Sequence, residues 1–188
     1  RFFLHLFPFQ AAVFITGPFV TPYMIAQVHM GYSEYMIAVA MLFIGKILVL
    51  SLVEHLGFKA NATTAKKLNM NLFWLGLLLI APMPMTWAIS SNQIYIMFLQ
   101  LISGAFWALV EVGLSLIFFQ DISEDEKVPV LTIYNFLNAL AIIIGTTIGG
   151  QILLTFGEHM SAYKGMFVFG GILRTLTAFW LFIQVRRA

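Results

Sequence analysis

Residues 93–119 read QIYIMFLQLISGAFWALVEVGLSLIFF, and a single charged side chain, Glu111, interrupts them. A hydrocarbon core about 30 Å thick needs about 20 predominantly apolar residues in a helix, so this stretch is long enough to cross a bilayer. A barrel strand would be about 10 residues of alternating character, and this run is oily on most sides. It predicts a transmembrane helix. A carboxylate inside such a helix is costly to insert and calls for a partner or a task.

The same reading recurs outward from that stretch. Spans are predicted at 4–28, 33–53, 68–89, 93–119, 128–154 and 163–185, an all-α, polytopic transmembrane bundle of six helices. Composition agrees: 61% of residues are hydrophobic and 10% charged, against about 45–50% and about 25% in an average soluble domain. The lipid bilayer is therefore the expected surroundings. The net charge is +2, but the basic residues sit at span ends and form no stripe, so no nucleic acid partner is expected. The lack of cysteine excludes disulfides, thiolate metal sites and thiol nucleophiles. No metal and no other cofactor is implied. The opening Arg1-Phe2-Phe3, without initiator Met or signal-peptide cleavage pattern, reads as part of a longer protein.

Orientation follows from the loops. Arg1, Lys59, Lys66, Lys67, Lys127, Arg186 and Arg187 fall on one side, and only Lys164 on the other. The positive-inside rule puts the first side, with both chain ends, in the cytoplasm. Ser123-Glu124-Asp125-Glu126 reads as a capping box, in which Ser123 accepts from an orphan N–H and Glu126 reaches back. The chain also divides into two three-helix units, about 4–89 and 93–185, of opposite orientation. Mid-span Gly45 and Gly145, with Leu56-Gly57 and Phe156-Gly157 at the span ends, echo one another faintly. Inverted repeats leave such a trace in secondary transporters.

Further residues carry a family resemblance. They are Ser103-Gly104-Ala105-Phe106-Trp107-Ala108, Glu111, Asp121, Tyr134-Asn135-Phe136-Leu137-Asn138, Gly145 and Gly149-Gly150, with Gly17-Pro18-Phe19 and Pro22-Tyr23-Met24 in the first span. Together they resemble the carboxy-terminal six-helix half of a major facilitator superfamily transporter, over essentially the whole chain. Glu54-x-x-Gly57-x-Lys59 is similar to that family's cytoplasmic gating-loop signature, with Glu54 in place of Asp and Leu50 in place of the leading Gly. The resemblance implies that spans 1, 2, 4 and 5 line a central cavity and spans 3 and 6 pack outside. It also implies a partner, the amino-terminal six-helix half.

Helical periodicity supplies stripes independently. Gln100, Ser103, Gly104, Trp107, Glu111 and Ser115 share one face of span 4, and Gln10, Phe14, Gly17 and Thr21 one face of span 1. In span 5, Asn135, Asn138, Gly145, Thr146 and Gly149 lie close to one side. Polar residues avoid lipid, so these faces meet protein or water. Interhelical packing is the plain alternative to cavity lining, and Gly145-x-x-x-Gly149 is a common contact motif.

Three charges lie within spans. Lys46 and Glu111 sit at equal depth, about 10–12 Å inside the boundary, and can pair; Arg174 lies about 16 Å in and is long enough to snorkel or to reach Glu111. A fixed structural pair is one reading. The other makes Glu111 the group that takes up and releases a proton, with Lys46 meeting an anionic group. An enzyme is not expected: there is no cysteine, no span-centre histidine and no second carboxylate beside Glu111. The expected function is secondary active transport of a small-molecule solute by alternating access, with proton coupling through Glu111. The competing class is a non-transporting membrane scaffold or receptor.

Overall fold

The computed structural model describes residues 2–57 and 62–187, with side chains outside 56–69, 120, 121 and 186–188. The first apolar stretch runs as α1 (Phe2–Thr16), a 3-10 turn (Gly17–Phe19), α2 (Val20–Pro22) and a π-helical turn (Tyr23–Gln27). It is followed by α3 (Tyr32–Gly57), α4 (Ala62–Ile80), α5 (Met83–Thr86), α6 (Gln93–Asp121), α7 (Glu124–Phe156) and α8 (Met160–Arg187). All regular structure among the described residues is helical. A chain crossing lipid must satisfy its backbone groups internally, and a helix does so within one segment.

Five helical stretches are long and apolar enough to cross a membrane: Phe2–Gln27, Tyr32–His55, Gln93–Phe119, Glu124–Phe156 and Met160–Val185. The third predicted span differs in being interrupted: α4 runs from Ala62 to Ile80 and α5 from Met83 to Thr86. It breaks between Ile80 and Met83, at Ala81-Pro82, because Pro82 has no N–H to continue the ladder. Large apolar side chains such as Leu48, Leu78, Phe136 and Phe179 stand on the outside of the bundle. Water would not tolerate so large an apolar exterior, and the chain is a multi-pass membrane protein.

Packing is pairwise. α3 lies along α6, α4 also packs on α6, α1 lies along α7, and α8 packs on α1 and α5. Missing side chains set the closest crossings. A Cβ on Gly45 would strike the Leu101 carbonyl, and one on Gly104 the Leu42 carbonyl, so α3 and α6 touch backbone to backbone. Gly145 and Gly149 in α7 meet the carbonyls of Ala11 and Ile15 in the same way. For these two glycines of α7, the packing reading of the sequence motif holds.

Tyr23, in the π turn, is fully buried against Trp87, Tyr163 and Phe167. Its hydroxyl reaches Ser91 Oγ at 3.2 Å. This aromatic cluster ties the irregular end of the first stretch to α8 and to the turn after α5. At the start of α7, Ser123 does not cap a backbone N–H as expected. Its hydroxyl instead donates to Glu126 Oε2 at 3.0 Å, because the carboxylate is the stronger acceptor.

Candidate functional site

The closest charged contact inside the spans joins α3 to α6. Lys46 Nζ lies 2.6 Å from Glu111 Oε1. Gly45 and Gly104 bring the two helices together just beside it, so the pair bridges a crossing already held by backbone contact. The Glu111 side chain is 53% exposed and that of Lys46 25%. The pair therefore lies on an open wall of the bundle and is not sealed behind it.

Glu111 also borders a cleft of about 210 Å³ that contains Gln10, Trp107, Tyr134 and Asn138. Gln10 projects from α1 and donates through Nε2 to the Tyr134 hydroxyl of α7 at 3.2 Å. Its Oε1 is buried and accepts no hydrogen bond. Buried polar atoms are normally satisfied, so this amide offers an idle acceptor beside the cleft. Asn138 lines the cleft. Asn135, one turn away, is exposed and does not.

Trp107 and Val13 line both this cleft and a second cavity of about 360 Å³. Thr21, Gln100, Ser103 and Arg174 supply polar groups there. Gln100 is buried, with Nε2 3.8 Å from Met24 Sδ. Thr21 is exposed, and its hydroxyl sits 3.5 Å from that of Tyr35. The cavity also draws on α5 and α8, through Met83, Phe167 and Arg174. The expected division, with spans 3 and 6 wholly outside the lining, is therefore too strict.

Arg174 does not reach Glu111. It turns to α1, where Nη2 donates to the Val13 carbonyl at 2.8 Å and to Thr16 Oγ1 at 2.5 Å, with Nε 3.5 Å from the Ala12 carbonyl. These acceptors lie in the last turn of α1, which ends at Thr16 before Gly17-Pro18. A central arginine costs about 2.5–3.5 kcal/mol to insert, and each hydrogen bond to a charged group returns about 1.5–3 kcal/mol. Two short bonds are enough to hold the side chain, but they leave its charge uncancelled. No carboxylate pairs with it among the described residues.

Tyr134 and Thr16 are site residues that the stripes did not single out. Tyr134 is on the page of the sequence beside Asn135, but nothing marks it as the partner of a glutamine 124 positions away. In the loop expected to gate, Glu54 is exposed near the end of α3 and Gly57 is that helix's last residue, while Lys59 lies outside the described residues. Two larger grooves, of about 410 and 560 Å³, open along α4/α8 and α7/α8 and are lined chiefly by apolar residues such as Leu78, Phe179, Ile152 and Phe169. No family model matches the chain, and no curated protein or solved structure matches it either.

Proposed function

We propose that this chain is one six-helix half of a secondary active transporter of the major facilitator kind, moving a small solute by alternating access. The observation that carries the reading is the Lys46–Glu111 pair, placed at span depth and still open on the bundle's surface. A pair sealed inside the bundle is held to its partners, whereas a pair on an open wall can exchange partners with solute, proton or an opposing helix. Glu111 is the group proposed to carry the proton.

The packing supports the inverted repeat. Exchanging the two three-helix units turns the α3–α6 pair into α7–α1, and α4–α6 into α8–α1, which are the pairings present. In this reading Met70–Thr86 with its break belongs to the third of six spans, both chain ends face the cytoplasm, and an amino-terminal half supplies the opposite wall. Two such units rocking against each other would expose the wall to each side in turn.

The test is flux. The full-length protein in proteoliposomes is assayed for uptake and exchange across a metabolite panel at several pH values, beside Glu111→Gln and Lys46→Ala. At least one solute moves in the wild type, and the Gln variant loses its pH dependence. A Gln variant matching wild type at every pH removes the proton role, and a panel with no transported solute removes the function.

A further inference from the structure

We propose that the cavity at Arg174 binds a small, water-borne organic carboxylate, whose negative group lies against the guanidinium. This rests on the transport reading only for the cavity's access to solute.

Arg174 is 5% exposed and lines the cavity. Its hydrogen bonds run from Nη2 and Nε to neutral acceptors of α1. Nη1 makes none with the described residues, and it is not among the sealed polar atoms that lack a partner. One nitrogen of a permanently charged guanidinium, Nη1 with its two hydrogens, is thus unused on the cavity side, and no carboxylate among the described residues answers the charge. A carboxylate can accept a charge-assisted hydrogen bond from Nη1 and cancel the charge. In a medium of low dielectric an uncancelled charge attracts an anion far more strongly than it would in water.

The rest of the cavity narrows the class. Gln100 and Ser103 are buried beside it and offer further hydrogen-bonding groups. Trp87, Trp107 and Phe167 give flat apolar walls for the body of a solute. A volume of about 360 Å³ holds a small molecule, and sites of this kind combine apolar walls with a few placed polar groups. The exposed lining residues are Thr21 and Gly17 with Phe43; the polar Thr21 at this rim is the ground for favouring a water-borne source over a fatty acid entering from the bilayer.

Binding is measured on the full-length protein in nanodiscs by calorimetry and by quenching of tryptophan fluorescence. The probes are benzoate, its neutral isostere benzamide, and palmitate. Benzoate should bind at least about tenfold more tightly than benzamide. Arg174→Gln should lose at least about tenfold in benzoate affinity, and Arg174→Lys should lose less. Ser103→Phe fills the cavity while leaving Arg174 and its bonds to α1 in place, and it should abolish benzoate binding; it decides the matter if the Gln variant does not fold. Equal binding of benzoate and benzamide, no benzoate binding up to about 10 mM, unchanged binding in Ser103→Phe, or binding of palmitate alone would each overturn the proposal. The assay reads no flux. A protein that binds benzoate but moves no solute refutes the transport reading only, and one that transports neutral solutes while ignoring benzoate refutes this assignment only.

Discussion

Lys46 Nζ meets Glu111 Oε1 at 2.6 Å across the α3–α6 crossing, one residue beyond Gly45, which lets the helices touch. The order of causes matters here. Backbone contact fixes the separation, and the ion pair is laid over it. An exposed pair of this kind is worth about 0.2–1 kcal/mol, too little to hold two helices together.

It follows that neutralising either partner should separate function from stability. Lys46→Met and Glu111→Gln should shift thermal unfolding by no more than about 1 kcal/mol while lowering flux of an identified solute about tenfold or more. The double variant should be no worse than the weaker single one, because the two groups act as one unit. A large loss of stability in either single variant would mark the pair as structural.

The glycines should behave in the opposite way. Gly45→Ala and Gly104→Ala each push a methyl into a facing carbonyl, and such overpacking costs about 1–3 kcal/mol. Gly165 in α8 has nothing within 4 Å of an added Cβ. Gly165→Ala should therefore gain about 0.5–1 kcal/mol from helix propensity alone. Thermal unfolding in detergent, three variants side by side, reads the contrast.

How much of this was legible in the chain depends on what carries each feature. Length and oiliness are properties of residue type, so the apolar stretches were visible, and counting rise per residue from the helix ends placed Lys46 and Glu111 at one level. The break at Ala81-Pro82 was visible as proline. Arg174 was misdirected for a physical reason. Its partners are a hydroxyl and two carbonyls near the end of α1, and a carbonyl belongs to every residue alike. Gln10 and Tyr134 meet through the α1–α7 contact, which no local pattern encodes.

Gln10 should be dispensable for stability. Its Oε1 is buried without a partner, and an unmade hydrogen bond of this kind costs about 1–3 kcal/mol. Gln10→Met removes the orphan, and the Tyr134 hydroxyl it leaves is only half-buried and borders the cleft, where water can replace the lost donor, so unfolding should be unchanged or raised. Tyr134→Phe deletes the acceptor of Gln10 Nε2 and leaves a second idle group, so it should destabilise by about 1–3 kcal/mol. If the amide contacts solute, Gln10→Met will also reduce flux while the fold stays intact.

Thr16 tests how Arg174 is held. Thr16→Val keeps the shape and removes the acceptor of the 2.5 Å bond, leaving the Val13 carbonyl in place. The loss should be about 1.5–3 kcal/mol, the worth of a hydrogen bond to a charged group. Thr16→Ser, which keeps the hydroxyl, should retain most of it. Equal effects from the two would mean that the methyl group, packed against α8 near Gly170, matters more than the charge.

The absence of native cysteine makes the wet face directly readable. Single cysteines at Thr21, Glu111 and Asn138, which border the two cavities, should react with a water-soluble, membrane-impermeant thiol reagent. Cysteines at Phe136, Ile143 and Leu176, exposed apolar positions of α7 and α8, should not react, because lipid excludes both the reagent and the thiolate it needs. Each set contains exposed positions, so exposure by itself cannot produce the contrast; only the identity of the surrounding solvent can. Labelling at Glu111 that falls when the conformation is biased by solute would further show that this wall opens and closes. Uniform labelling of both sets would put the whole bundle in water, and no labelling of the first set would bury the proposed passage in lipid.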